Sequence, residues 1–302
     1  MRTTLSAPAC CAWFAGALLS TAMLSGCAAQ PVEATPQATP QPAAPAPTAA
    51  QPSQAALDLI ARQSAFADWI AAFSASARAA GIGDETLRLA FDGVQLVPRV
   101  VDLDRAQPEF TRSVWDYLDR AVSPQRVATG REKLSQFRAE ADAAVARYGV
   151  PASVLAAIWG LESNFGSNVG DIPTIDALAT LGFEGRRADW ARGQLLAALK
   201  ILQGGDIERA RMIGSWAGAM GQTQFLPTSF LAYAVDADGD GRRDIWGSMA
   251  DVLASTANFL ARAGWQAGQP WGTEVRLPPG FDLGAPGLAG LPARAGDRKS
   301  VV

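Results

Sequence analysis

The chain has 302 residues, 49% of them apolar, and sets 26 basic against 29 acidic side chains for a formal net charge of -3. That length and apolar share supply one large core or two modest ones, while the near balance of charge provides no basic field and argues against nucleic acid as a partner. Histidine is absent, which excludes Ser-His-Asp and Cys-His nucleophiles and histidine-bound zinc and leaves neutral-pH acid–base chemistry to a carboxyl, lysine, tyrosine or the backbone.

Residues 1–26 start with Arg2 and run apolar through Trp13, Phe14, Leu18, Leu19 and Met23 before ending in small residues. This is the pattern of a secretory signal, too short and alanine-rich for a spanning helix. It closes in Leu24-Ser25-Gly26-Cys27, which resembles a bacterial lipobox, so Cys27 is the expected lipidation site and attaches the protein to a membrane. Cys10 and Cys11 leave with the signal, and Cys27 is then the one remaining cysteine, which suits an oxidising periplasm. Ala28 follows it where inner-membrane retention uses an acidic residue, so the inner face of the outer membrane is the expected location. Residues 27–55 repeat proline at Pro31, Pro36, Pro40, Pro42, Pro45, Pro47 and Pro52 and read as an extended tether.

From 56 to 150 the periodicity is helical. Leu57, Ile60, Phe66, Trp69, Ile70 and Phe73 recur at three- and four-residue steps, which places them on one face. Asp84 opens a second helix, an extended piece is expected from Val97 to Leu103, Pro108 to Leu118 begins a third helix, and Lys133 to Tyr148 forms a fourth, closed by Gly149. A second helical region spans 151–268. Beyond it, in 269–302, Thr273-Glu274-Val275-Arg276-Leu277 alternates like a strand; the Gly, Ala and Pro that follow read as a truncated small β region.

Pro151 fits the first turn of a helix that continues through Leu155, Ile158, Trp159 and Glu162. Glu162 stands four residues after Ile158 and seven after Leu155, in the apolar stripe, where a carboxyl loses solvation and its pKa rises. Such a group holds its proton near neutrality and serves as a general acid; a helix-terminal glutamate in water or paired with arginine fits the same pattern. Gly218-Ala219-Met220-Gly221-Gln222-Thr223-Gln224 lacks the Lys-Ser/Thr of a phosphate loop. Its flexible backbone can pass close to a ligand, with Gln224 as a hydrogen-bonding side chain, or can simply make a tight turn before a helix. Phe165 and Phe259 are the candidate groove aromatics. Asp236, Asp238 and Asp240 occupy positions 1, 3 and 5 of an EF-hand-like loop with Gly241 at 6 and the carbonyl of Arg242 at 7. Position 12 is Gly247 instead of glutamate.

Ala157-Ile158-Trp159-Gly160-Leu161-Glu162-Ser163-Asn164-Phe165-Gly166 resembles the catalytic motif of membrane-bound lytic murein transglycosylases of the B type, in the lysozyme-like superfamily. Gln107 to Phe110, Trp115 to Leu118, Gly214 to Gly221, Gln224 to Pro227, Asp236 to Trp246, Ser255 to Leu260 and Gly264-Trp265 follow in the family's order. The resemblance implies a mainly α fold: a lysozyme-like catalytic core, an N-terminal helical domain and the small β region. It implies a monomeric lyase that cleaves the β-1,4 bond between N-acetylmuramic acid and N-acetylglucosamine in peptidoglycan strands, without water and without a cofactor in the reaction. Glu162 is then the single acid/base, Ser215 and Gln224 lie in the substrate groove, and a structural calcium ion sits in a lengthened loop, 236–251, closed by Asp251. A muramidase using Asp171, Asp176, Glu184 or Asp189 as second carboxyl is the close rival, and a non-catalytic peptidoglycan-binding lipoprotein the other.

Overall fold

Segments rich in alanine and leucine, punctuated by proline and glycine, fold here as helices. The computed structural model describes residues 53–106, 114–269, 276 and 278–281. The export signal, Cys27, the tether up to residue 52, the motif at 107–110 and, apart from Arg276, the expected strand at 273–277 lie outside the described residues. Among the described residues no single helix is long and apolar enough to cross a membrane.

Six helices come first: α1 (Gln54–Ala79), α2 (Asp84–Phe91), α3 (Pro98–Arg105), α4 (Val114–Ala121), α5 (Pro124–Gln136) and α6 (Arg138–Tyr148). Two of them correct the sequence reading. The piece expected to be extended at 97–103 is helical, because Pro98 pre-sets the backbone at the first turn and Val100, Val101 and Asp104 then share a buried face. The single helix expected over 133–148 is two. The first starts earlier, at Pro124, with its N-terminus capped by Ser123, whose hydroxyl accepts the backbone N–H of Arg126; the two part at Phe137, whose φ of -111° and ψ of 40° leave the helical range. Gly149 ends α6 in the left-handed conformation, φ 70°.

The remaining elements are α7 (Ala152–Ser163), β1 (Ile172–Pro173), α8 (Thr174–Glu184), α9 (Ala188–Gly204), a 3₁₀ turn (Arg209–Arg211), β2 (Ile213–Gly214), α10 (Pro227–Tyr233) and α11 (Met249–Arg262). β1 and β2 pair antiparallel, Ile172 opposite Gly214 and Pro173 opposite Ile213. Single bridges from Gly214 to Met220 and from Met220 to Phe225 extend the pairing into the glycine-rich turn.

Burial organises these elements around three clusters. Phe66 and Ala77 of α1, Leu87 of α2, Ile175 and Leu178 of α8, Leu195 and Leu199 of α9, Met220 of the glycine-rich turn and Phe230 of α10 form the largest. Ala141 and Ala144 of α6, Leu155 of α7, and Leu253 and Ala257 of α11 form a second; small residues on α6 and α11 let these two helices approach closely. Val100, Ile172, Ala177, Leu181 and Ala191 make a third, beneath α3 and β1. Helix α7 belongs to the second cluster, while the glycine-rich turn and the acidic loop rest on the first. The candidate site lies where these two bodies of packing meet.

Candidate active site

Helix α7 buries Leu155, Ala156, Trp159, Gly160 and Ser163. That pattern of one, four, five and eight steps is a helical face centred on Trp159, whose ring meets Phe137 edge-on at 6.0 Å and Phe165 at 5.4 Å. The face is turned slightly from the stripe drawn through Leu155, Ile158 and Glu162: Ile158 is half-buried, and Leu161 and Glu162 are exposed beside it. Glu162 therefore stands at the edge of the apolar face. Its carboxyl is nonetheless pushed above the ordinary glutamate value, and desolvation is the cause. The group is reached by water, so the push comes from protein crowding one side of it, and among the described residues no cation opposes the shift.

The four candidate second carboxyls are all paired. Asp171 meets Arg99 at 3.2 Å; Asp176 accepts from Arg209 at 3.0 Å and from the backbone of Gln95 at 2.7 Å; Asp189 meets Arg192 at 3.1 Å; Glu184 is bridged to Arg62. Among the described residues the one other carboxyl with a raised pKa is Asp251, in the acidic loop.

The chain leaves α7 through three successive left-handed residues, Asn164 (φ 48°), Phe165 (φ 59°) and Gly166 (φ 80°). For asparagine and glycine this is tolerable; for phenylalanine it is strained. Packing holds it. A Cβ on Gly160 would stand 2.7 Å from Cζ of Phe165, and Gly130 on α5 lies under the same ring, so two glycines make its seat. Phe165 thus closes the end of α7 against α5.

The glycine-rich turn faces this exit. Ser215 follows β2, and its hydroxyl accepts the N–H of Ala219 at 3.1 Å while its own N–H donates to the carbonyl of Ala219 at 2.8 Å. Gln224, left-handed at φ 50°, donates its amide to the carbonyl of Gly221 at 2.9 Å and of Val169 at 3.2 Å. Both amide hydrogens are committed to backbone, so Oε1 is the end left to accept a hydrogen bond from a ligand. Val169 belongs to the loop after Glu162, so Gln224 ties that loop to the turn. Phe259 on α11, 37% exposed, packs against Tyr233 at 5.0 Å and Phe225 at 5.8 Å.

Sequence reading did not single out the group that joins α7 to the rest of the site. Gln222 receives the indole N–H of Trp159 on Oε1 at 2.9 Å and donates Nε2 to the carbonyl of Trp246 at 2.9 Å. Its backbone N–H donates to Ile245 at 2.9 Å, and its carbonyl accepts the hydroxyl of Ser163 at 2.7 Å. The partners lie 59 and 63 residues away on α7, and no local pattern announces such a contact.

In the acidic loop, carboxylate oxygens of Asp236, Asp238 and Asp251 lie within 4.8 Å of one another. Asp251, fully buried at the start of α11, accepts the N–H of Ala237 and of Asp244, each at 2.7 Å, and so closes the loop. Burial raises its pKa; that of Asp238 is lowered, chiefly by the hydroxyl of Ser248 at 2.6 Å. Asp240 stands apart from the three and accepts the N–H of Arg242 at 2.8 Å; the Arg242 side chain is exposed. Three hard oxygen donors held this close fit a calcium-type cation.

The transglycosylase SLT domain family matches residues 65–294. Membrane-bound lytic murein transglycosylase B of Escherichia coli (strain K12) is 35% identical over 153 residues, which cover 50% of this chain and 42% of that one. The crystal structure of SltB3 from Pseudomonas aeruginosa in complex with NAG-NAM-pentapeptide is similar with a TM-score of 0.70 and 58% identity, covering 72% of this chain and 58% of that one. Escherichia coli lytic transglycosylase Slt35 in complex with calcium is similar with a TM-score of 0.60 and 29% identity, over 68% and 65% of the two chains. The chain spans less than two thirds of the length of each of these relatives.

Proposed function

The chain belongs to the transglycosylase SLT domain family, and from that premise we propose that it is a peptidoglycan lytic transglycosylase with Glu162 as its single acid and base. The observation that carries this reading is the contrast among carboxyls: among the described residues no cation stands beside the desolvated Glu162, while each candidate partner is tied to an arginine. Glycosidases that hydrolyse use two free carboxyls, one on each side of the bond. A reaction that recruits the substrate's own hydroxyl needs one.

Protonated Glu162 donates to the oxygen between N-acetylmuramic acid and N-acetylglucosamine, the C1–O bond breaks, and the N-acetylglucosamine side leaves with that proton. The N-acetyl oxygen of the muramic sugar stabilises the cationic C1. Ionised Glu162 then takes the proton of the C6 hydroxyl, whose oxygen bonds to C1 and closes a 1,6-anhydro ring. Glu162 ends protonated, and no water is consumed. Ser215 and the Oε1 of Gln224 line the path of the sugar, with Phe165 and Phe259 as its aromatic neighbours. The relative solved with NAG-NAM-pentapeptide supports the substrate class.

Asp236, Asp238 and Asp251 would hold a calcium ion, which supplies charge neutralisation that fixes the loop and takes no part in the reaction. The relative solved with calcium supports this. Cys27 places the protein on a lipid anchor in the periplasm at the inner face of the outer membrane; Cys27→Ala should move it from the membrane to the soluble fraction, and unchanged membrane recovery would refute the anchor.

Glu162→Gln removes the proton and the later base while keeping size and shape. Release of muropeptides from purified peptidoglycan should fall to background with sacculus binding intact. Retained turnover would remove Glu162 from the reaction, and a wild-type protein that binds without releasing product would make the chain a binding module.

A further inference from the structure

We propose that Gln222 is a positioning residue for the carboxyl of Glu162, a role that rests on the reading of Glu162 as acid and base. Four polar groups of Gln222 are engaged, and they point two ways. The side-chain Oε1 and the backbone carbonyl receive α7, through the indole N–H of Trp159 at 2.9 Å and the hydroxyl of Ser163 at 2.7 Å. The side-chain Nε2 and the backbone N–H grip the closing end of the acidic loop, at the carbonyls of Trp246 and Ile245, both at 2.9 Å.

Trp159 and Ser163 flank Glu162 in sequence, three residues before and one after, so these two bonds fix both the roll and the end of the helical turn that carries the carboxyl. The Ser163 hydroxyl also accepts the N–H of Gly166 at 3.1 Å, which holds the strained exit immediately behind Glu162. Gly166 is matched to the same side chain: a Cβ there would collide with Oε1 of Gln222 and stand 2.8 Å from its Cδ. The turn after Glu162 is therefore shaped around this amide.

On its other side the chain of bonds continues into the loop. Asp244 accepts the N–H of Trp246 at 2.9 Å and of Gly247 at 2.8 Å, and its own N–H donates to Asp251. Gln222 thus holds α7, which packs in the second cluster, to a segment seated on the first. A carboxyl that must first give a proton and then take one from a different oxygen depends on sub-ångström placement, and an amide bonded at both ends supplies it.

Gln222→Met keeps the volume and removes the side-chain hydrogen bonds; Trp159→Phe removes the donor to Gln222 and keeps a ring facing Phe137 and Phe165. In both, kcat on purified peptidoglycan should fall about 10- to 100-fold with KM little changed. The alkaline limb of the kcat–pH profile should move to lower pH as the loosened carboxyl hydrates. A folded Gln222→Met protein with wild-type kcat and pH profile overturns the proposal; if that variant does not fold, the same two outcomes are read on Trp159→Phe. Glu162→Gln is assayed alongside. If Glu162→Gln retains turnover the reading of the site fails, whereas loss in Glu162→Gln with none in the Gln222 and Trp159 variants overturns only the positioning role.

Discussion

Glu162 stands at a boundary, with Trp159 buried one turn before it, Ser163 buried after it and Leu161 half exposed at its side. Protein on one side raises its pKa by desolvation, and the other side is open to water. The raised value has a consequence for stability. The folded protein holds this proton to higher pH than the unfolded chain does, so the stabilisation from holding it is complete below the unfolded value of about 4.3 and is lost as pH rises through the folded value. As pH rises, ionising this carboxyl is a growing burden on the fold, one that an amide in its place does not carry. Glu162→Gln should melt at a higher temperature than wild type at pH 7, with the difference shrinking towards zero below about pH 4. A variant equally stable or less stable at pH 7 would indicate a carboxylate that the folded protein welcomes. The sequence exposed this residue because a lone glutamate in an apolar, alanine-rich turn is unusual, and the motif around it is long. Its position at the edge of the buried face was not legible, because the helix roll is set by Trp159 meeting Phe137 and Phe165 from other segments.

Among the elements, the acidic loop shows how far spacing reaches. Carboxylates at alternate positions with a glycine after them announce a cation loop, but only the fold shows which of them converge. Asp251, 15 residues after Asp236 in the chain, supplies its buried carboxylate from the first turn of α11, while Asp240 caps the backbone of Arg242. Calcium should therefore stabilise the fold by about 2.7 kcal/mol when free calcium exceeds its dissociation constant 100-fold, and so raise the melting temperature by about 5–10 °C. Asp238→Ala should abolish that increment, since Asp238 is exposed and removable without opening the core, whereas Asp240→Ala should retain most of it. No shift in the wild-type protein would remove the cation from the account. The helices tell a similar story. Pro98 and Pro124 each start a helix that apolar periodicity alone did not place, and Phe137 divides a run that periodicity reads as continuous.

At the scale of the whole molecule, α-helices from both the 56–150 and the 151–268 stretches contribute to the same clusters: Phe66 and Leu87 pack with Ile175 and Leu199, and Ala141 and Ala144 with Leu155 and Leu253. The mainly helical class was legible from periodicity. The way distant segments share a core was not, because long-range packing leaves no trace in local spacing; the same holds for Gln222 and its partners. The candidate site gathers at this shared packing, with Glu162 carried by one cluster and the glycine-rich turn and acidic loop by another.

In the proposed reaction one carboxyl breaks the glycan strand with the substrate's own hydroxyl in place of water. Digestion of purified peptidoglycan by the wild-type protein in heavy-oxygen water, followed by mass analysis of the released muropeptides, tests it directly. The expected products are anhydro ends, lighter by one water than hydrolysis products and free of the heavy isotope. Reducing ends carrying the isotope would show that water attacks C1, and would contradict it.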